Sequence, residues 1–593
     1  MTHQKSINSF HFIRYTIAVS IALLFPAISF AQSLPTFTKF VVFGDSLSDT
    51  GNIAHRVSDQ FPFSYPSGEF DYSDHRFTNS SDTIPSSDRY AGVWHEQLAH
   101  TFFHLPIATN SLNGGTNYAF GGATSVDGSS ERTVIHNPDP FSGGDYTITI
   151  DNMGKQVGDY LATTTPDPNA LYLLWGGGND LFDNSSGANV IATSNRINAL
   201  IRRLATAGAR NFLVPNVPPL GAIPNYKGHT AKIISLDAAS ADYRTVLNSG
   251  LNATINALAA QGITVHIYRL DTWLNTIRIL AAPSDYGFTE IHDSAQGDVQ
   301  ADPDEFLFWD DIHPTTAGHF QIAAEADRVL RGAVPVPGKA LNIATRASVG
   351  NGDNVAIAGF VITGTNAKRI VVRALGPSLS AYGVRGPLPD PTLELHDSTG
   401  AIIAINNNWG DTQSDEIRAT GLAPSNFFES AIVRTLVPGA YTAVMRGRNG
   451  VTGVGLVEVY DLSSTTASLL ANMSTRGFVG TGESVLITGF VIGAGDKPLM
   501  AIRATGPSLT SYGVTGALQD PVLELHDGNG ALVATNDNWQ NTQDSAVAAT
   551  GIAPPDPRES AIVKSLPPGN YTAIVRGKSN TTGIALVEVN RIQ

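Results

Sequence analysis

Four short stretches of the sequence carry side chains able to act together on a carbonyl group. "FGDSLSDTGN" sets Ser46 directly after an apolar run, and "NYAFGGATS" (117–125) ends another run in two glycines. "WGGGNDLF" (175–182) places Asn179 and Asp180 behind three glycines, and "FLFWDDIHPTTAGH" (306–319) sets two aspartates just ahead of His313. Each has a plain structural explanation, since Gly, Asp and Ser make turns and Asn, Asp and Thr cap helices. Together they supply what acyl transfer needs. A serine hydroxyl requires a base, here His313, and the imidazole requires a carboxylate, Asp310 or Asp311, to fix its tautomer. A tetrahedral oxyanion requires preorganised donors: the Asn179 amide and the backbone N–H groups of Ser46 and of Gly121 or Gly122.

These residues can meet only if the segments around them share a sheet. "KFVVF" (39–43), "ALYLLW" (170–175), "RNFLVPNV" (210–217) and "ITVHIYRL" (263–270) are short, apolar and β-rich. Amphipathic patterns such as "AGVWHEQLAHTFF" and "NVIATSNRINALIRRLATAG" separate them. Near-continuous apolar strands alternating with helices predict a parallel sheet covered on both faces. Ligands bind beyond the carboxyl ends of such strands, where the Ser46 loop emerges.

Residues 38–332 resemble the GDSL, or SGNH, esterases and lipases. "GDSLSDTGN", "NYAFGGA", "GGND" and "WDDIHPT" are similar to four of that family's blocks and follow in its order. The resemblance implies a flavodoxin-like three-layer α/β/α fold and carboxylic-ester hydrolysis through an acyl-enzyme. It implies Ser46, His313 and Asp310 as the catalytic triad, and Ser46, Gly122 and Asn179 as the oxyanion hole. It favours Asp310 over Asp311 by spacing, and Gly122 over Gly121 by its distance from Asn117. The Gly-x-Ser-x-Gly elbow of α/β-hydrolases is missing around Ser46.

Beyond "GAVPVPGK" (332–339) the chain repeats itself at a fixed offset of 130 residues. "RALGPSLSAYGV" from Arg373 returns as "RATGPSLTSYGV" from Arg503, and "PGAYTAVMRG" from Pro438 as "PGNYTAIVRG" from Pro568. β-formers between Gly, Pro and Asn clusters predict two all-β sandwich-like domains, each with a core of its own. The expected organisation is a signal peptide over 1–31, a hydrolase domain over 32–332, a linker over 333–339, and repeats over 340–463 and 467–593.

Composition narrows the functions. The chain has 593 residues, a formal charge of −15 and no cysteine. Disulfides, thiolate metal sites and a cysteine nucleophile are thereby excluded. The acidic balance and the lack of a basic stripe argue against nucleic acid. Lys5 and Arg14, the apolar "YTIAVSIALLF", and Ser29 and Ala31 before Gln32 read as a secretory signal, predicting export and no transmembrane segment after cleavage. No cofactor and no metal are expected: His95 and His100 have no ligand spacing, and the Asn/Asp-rich stretches at 406–416 and 536–545 lack the acidic twelfth position of a calcium loop. The partner expected is a small or polymeric ester. The alternative function is a polymer- or surface-binding protein whose hydrolase domain deacetylates or trims polysaccharide, with Trp409 and Trp539 of the repeats stacking on sugars or filling their cores. The polar, aromatic stretch 55–90 lacks an amphipathic lid helix, which points to short-chain or polar esters.

Overall fold

The four apolar runs become the strands of one parallel sheet in the computed structural model. It describes residues 36–61, 65, 66, 72, 75–79, 90–136, 144–298, 300–333, 338–352, 354–463, 468–482 and 484–592. The expected signal peptide and most of the expected linker lie outside the described residues. The chain forms two compact units, one built on the described residues before the linker and one on those after it. In order, the first contains β1 (Phe40–Gly44), α1 (Asn52–Ser58), α2 (Trp94–Gln97), β2 (Ser129–His136), β3 (Gly144–Asp151) and α3 (Met153–Thr163). It continues with β4 (Leu171–Trp175), α4 (Gly178–Asp183), α5 (Gly187–Ala207), β5 (Asn211–Pro215), α6 (Thr230–Ala259) and β6 (His266–Leu270). Last come α7 (Thr272–Ala281), β7 (Glu290–Ser294), β8 (Phe306–Phe308) and α8 (Thr316–Leu330).

The sheet runs β1-β4-β5-β6, all parallel. Residues 116–120 extend it beyond β1, with Val42 N–H donating to the Thr116 carbonyl at 3.0 Å and Tyr118 N–H to that of Val42 at 2.8 Å. Counting that segment, the order is 2-1-3-4-5, the doubly wound arrangement whose ligand crevice opens where the winding reverses, between the first and third strands. Alternate side chains go to opposite faces. Val41, Phe43, Tyr172, Leu174 and Phe212 pack against α3, α5 and α6; Phe40, Val42, Leu171 and Leu173 pack with Trp94 of α2 and with α8. This is the α/β/α sandwich. Gly44 is dictated by close approach, because a Cβ there would lie 2.6 Å from the Trp175 carbonyl oxygen of β4.

The second unit holds sixteen strands. Residues 340–463 give β9 (Ala340–Val349), β10 (Ala356–Thr363), β11 (Lys368–Leu375), β12 (Pro391–His396), β13 (Ile402–Asn406), β14 (Ser430–Leu436), β15 (Gly439–Gly447) and β16 (Gly453–Asp461). The second copy gives β17 (Leu469–Val479), β18 (Leu486–Ile492), β19 (Leu499–Thr505), β20 (Pro521–Asp527), β21 (Leu532–Asn536), β22 (Ser560–Ser565), β23 (Gly569–Gly577) and β24 (Gly583–Ile592). The region is all-β, but the expectation that each repeat closes its own core is corrected. β9 and β10 do not form a hairpin ladder. β9 pairs with β16 of its own copy and β18 of the other, while β10 pairs with β15 and with β17. Two eight-strand runs, β13-β12-β15-β10-β17-β24-β19-β22 and β21-β20-β23-β18-β9-β16-β11-β14, join where Ser348 of β9 pairs with Phe478 of β17, giving one sixteen-stranded sheet among the described residues. One apolar core, including Ile343, Phe360 and Val459 with Met473, Phe490 and Val587, serves both copies. The physical reason is the alternation in β9, β10, β17 and β18. Their inward residues satisfy either copy, so the ladder can pass from one to the other without changing face. At the centre, Thr345 and its counterpart Thr475 meet hydroxyl to hydroxyl at 2.5 Å, buried.

One prediction comes from the packing of the β unit and a second from that of the α/β unit. A separate 340–463 chain leaves one edge of β9 and one of β10 unpaired, so it is expected to dimerise through those edges or to aggregate; a monomer with a cooperative melt in size exclusion and circular dichroism would refute this. The second concerns Asp237 of α6. Its carboxyl is buried, accepts only the Gly221 N–H at 2.8 Å, and keeps its other oxygen without a partner. Burial pushes it up to about 7, against that hydrogen bond. The folded chain then holds a proton that the unfolded chain releases near pH 4. Stability therefore falls as pH rises from about 4 to 7 and is constant above. Asp237→Asn should flatten this slope and raise stability at pH 8 by on the order of 1 kcal/mol or more, read by calorimetry at pH 5 and 8; an unchanged slope would refute it.

Candidate active site

Ser46 stands in the turn that follows β1. Ser48 N–H and Asp49 N–H both return to the Asp45 carbonyl at 3.0 Å, so the chain coils at once after the strand. The turn is tied down by buried polar groups. The Asp49 carboxylate accepts from Gly51 N–H at 2.8 Å, Asn52 N–H at 2.7 Å and Ile53 N–H at 3.2 Å, at the start of α1. It also accepts from Gly121 N–H at 2.8 Å, which joins the serine turn to the glycine loop. Asn117 Nδ2 donates to the Ser48 carbonyl at 2.6 Å, and Asn52 Nδ2 to the carbonyls of Asn117 and Ala119 at 2.8 and 2.9 Å. His95 is fully buried with Nε2 2.9 Å from the Ser48 carbonyl, so it belongs to this scaffold; His100 is exposed.

His313 arrives from the opposite end of the sequence. β8 leads into its loop, where Trp309 N–H donates to the His313 carbonyl at 2.8 Å, and Thr315 caps α8 by accepting from Gly318 N–H at 3.0 Å. His313 Nε2 lies 2.9 Å from Ser46 Oγ, and Nδ1 lies 2.7 Å from Asp310 Oδ2. The other Asp310 oxygen accepts from the N–H groups of Ile312 and His313 at 2.7 and 2.6 Å. Burial raises the Asp310 carboxyl, but the His313 charge and these hydrogen bonds outweigh it and hold the group down at about 2. It is an anion throughout the neutral range. Asp311 is exposed and accepts from Ser294 Oγ at 3.3 Å, away from the imidazole. Of the two aspartates, Asp310 faces His313.

The glycine loop and the start of α4 complete the constellation. Gly122 has φ +77°, a left-handed conformation that favours glycine. The N–H of its neighbour Gly121 is spent on Asp49. Asn179 Nδ2 donates to the Ala123 carbonyl at 2.9 Å, which leaves its second proton for a ligand. Asp180 anchors this corner, accepting from Ser125 N–H at 2.9 Å, Ser125 Oγ at 2.6 Å and Arg196 at 3.0 Å. Asp45 is buried beside Ser46, and burial pushes its carboxyl up to about 7 against the Leu47 N–H bond. Ser46, Gly122, Asn179 and His313 all line one cavity of about 270 Å³.

Two contributors escape sequence reasoning. Tyr72 OH donates to Asp310 Oδ2 at 2.8 Å, the oxygen that also meets His313 Nδ1. Burial and the Asp310 charge push this phenol up, so it stays protonated. Arg132 on β2 donates from Nε to the Gly122 carbonyl at 3.0 Å, steadying that peptide. Neither sits in a motif with a spacing signal. A hydroxyl in contact with an imidazole, an imidazole oriented by a buried anion, and two converging donors form the arrangement that attacks a carbonyl and receives its negative charge. Among the described residues no cluster of three or more metal-binding side chains occurs.

Residues 40–326 match the family model described as GDSL-like Lipase/Acylhydrolase. Curated relatives include the "Uncharacterized protein in trpE-trpG intergenic region" of Pseudomonas putida, 31% identical over 353 residues, covering 54% of this chain and 52% of that protein. The phosphatidylcholine-sterol acyltransferase of Aeromonas hydrophila is 28% identical over 271 residues, 45% of this chain and 68% of its own. The thermolabile hemolysin of Vibrio parahaemolyticus serotype O3:K6 (strain RIMD 2210633) is 27% identical over 308 residues, 48% and 62% respectively. The chain thus spans between about half and two thirds of these relatives. With its four motif blocks converging on one sheet edge, the segment 40–326 belongs to the GDSL-like lipase/acylhydrolase family.

Proposed function

We propose that the protein hydrolyses carboxylic esters through an acyl-enzyme on Ser46. The observation that carries the reading is the unbroken hydrogen-bond line from Ser46 Oγ through His313 to Asp310. Ser46 Oγ bonds to the ester carbonyl carbon as His313 Nε2 takes its proton. Ser46 N–H, Gly122 N–H and Asn179 Nδ2 receive the oxyanion. The C–O bond to the alcohol breaks, and His313 returns the proton to that oxygen. Water then adds to the acyl carbon by the same relay, and the Ser46 Oγ–C bond breaks to release the acid and restore the hydroxyl. Asp310 keeps the imidazole in the tautomer that presents a bare Nε2, and Tyr72 positions Asp310.

The polymer-binding alternative finds less support. Trp409 donates its indole N–H to the Asn426 carbonyl at 3.1 Å and packs among Val371, Ile417, Ala431 and Val433, and Trp539 is 5% exposed. Trp539 is thus buried, and the partly buried Trp409 ring has the Arg418 guanidinium over one face at 5.2 Å.

Ser46→Ala should abolish turnover and labelling by a fluorophosphonate probe while leaving the fold intact; labelling that persists would place the nucleophile elsewhere. Asp310→Asn should cost about 10⁴ in kcat through the wrong tautomer, and Asn179→Ala about 10²–10³ with little change in KM. Equal damage from Asp311→Asn would overturn the triad assignment. Tyr72→Phe removes one hydrogen bond to a carboxylate that keeps three others, so kcat should fall by roughly two- to tenfold at constant KM. A rise in KM instead would make Tyr72 a substrate contact.

A further inference from the structure

In each repeat, three side-chain oxygens at equivalent positions are buried with no donor to meet them. In the first copy they are Asp390 Oδ1, Asn407 Oδ1 and Asn408 Oδ1; in the second, Asp520 Oδ1, Asp537 Oδ1 and Asn538 Oδ1. The two sets are the same positions 130 residues apart. Where the copies differ, Asn407 against Asp537, a carboxamide stands for a carboxylate and the oxygen is kept. Asn408 is 9% exposed, and its Nδ2 donates to Asp411 Oδ2 at 2.9 Å, so its oxygen alone is left over.

The strands carry these positions to one corner. β12 pairs with β13 through Leu393 and Asn406, and β20 with β21 through Leu523 and Asn536. Past those pairs, Asp390 and Asp520 stand opposite the turns that leave β13 and β21. Ser430 Oγ lies 2.6 Å from the Pro391 carbonyl oxygen and 2.8 Å from that of Asn407, and Ser560 Oγ links Pro521 and Asp537 in the same way. In the second copy the two carboxylates meet one atom. Lys578 Nζ is 2.6 Å from Asp537 Oδ2 and 3.6 Å from Asp520 Oδ2, which leaves the buried Oδ1 atoms free of it. The turn is fixed in advance: Asn536 Nδ2 donates to the Asn538 carbonyl and to Thr542 Oγ1, both at 3.1 Å, and its Oδ1 accepts from Ala561 N–H at 2.9 Å. Asn406 does the same in the first copy.

We propose that each corner is a calcium site, and that Asp520, Asp537 and Asn538 form the tighter of the two. The proposal is independent of the ester-hydrolase reading and replaces the expectation that no metal is bound. That expectation came from the spacing of a single calcium loop, whereas these donors come from two segments, the start of one strand and the turn after another. An oxygen taken from water without a donor costs free energy, and a cation held between three of them offsets that cost. Neither copy gathers three carboxylate, imidazole or thiolate side chains. The donors are carboxylate and carboxamide oxygens, the set that calcium takes, with water completing its six to eight ligands. Transition metals favour nitrogen or sulfur, and magnesium sheds its water reluctantly. The ranking of the copies follows from charge. The second sets two carboxylates against Lys578; the first sets Asp390 alone against Arg448, whose Nη1 is 3.8 Å from Asp390 Oδ2.

The test is calorimetric titration of calcium chloride into the full chain after dialysis against a chelator, with a thermal melt beside it. So few charged ligands predict weak binding, with a Kd on the order of 10⁻⁴–10⁻³ M for the tighter site. Calcium at about 10 mM should raise the melting transition of the β unit by a few degrees, and magnesium at the same concentration by less. Asp520→Asn and Asp537→Asn keep the oxygen and remove the charge, so each should weaken the tighter site by about tenfold or more. Asp390→Asn should leave that site as it is. Lys578→Gln removes a competing cation and should tighten it by about tenfold; because this variant gains binding, it remains informative if the aspartate variants fold poorly. No heat and no shift at about 10 mM calcium overturns the proposal, the buried oxygens then meeting water only. An equal or larger shift with magnesium overturns the choice of calcium. Loss of the tighter site in Asp390→Asn, with Asp520→Asn unaffected, overturns the ranking of the copies. Weaker binding in Lys578→Gln overturns the placing of the ion between the Oδ1 atoms.

Discussion

Four backbone N–H groups converge on the carboxylate of Asp49, three from the first turn of α1 and one from Gly121. A carboxyl group removed from water is costly unless donors replace its hydration, and here burial raises it to about 6 in spite of them. The donors cannot be dispersed without leaving that group unpaired. The serine turn, the start of α1 and the glycine loop therefore have one mutual geometry. The Gly121 N–H is consumed by Asp49, and Gly122 follows it in a left-handed conformation. Arg132 on the Gly122 carbonyl and Asn117 on the Ser48 carbonyl fix the two ends of the same arrangement.

Most of this corner is legible in the sequence because the residues that set it are local. Gly44 must be glycine where β1 nearly touches β4, Asp49 lies four residues from Ile53, and Asp310 lies one turn from His313. Spacing alone then limits what each side chain reaches. Tyr72 is not legible for the opposite reason. It meets Asp310 across 238 positions of chain. No periodicity records such meetings.

The repeats show the same division. Duplication at 130 residues, the short strands and the turns between them are plain in the sequence. The identity of the strands' partners is not, because β9 and β18 present the same alternating inward face that β9 and β10 would present to each other. Register constrains which face turns in, and it is silent on whose edge is used. The partial burial of Trp409 is likewise a tertiary fact: a tryptophan in an Asn-rich turn could stack on a ligand or fill a core until Asn426 is seen to take its N–H.

The meeting of Thr345 with Thr475 gives the β unit a property that neither repeat has. Equivalent residues touch only on an axis of two-fold pseudosymmetry, so the contact between copies is isologous and uses itself up. Each copy offers its first two strands and receives the other's first two, and the exchange is then complete. A third copy appended to the chain would find no open counterpart for its own first pair. The closed packing unit of this region is therefore the pair of about 260 residues, twice the 130-residue offset.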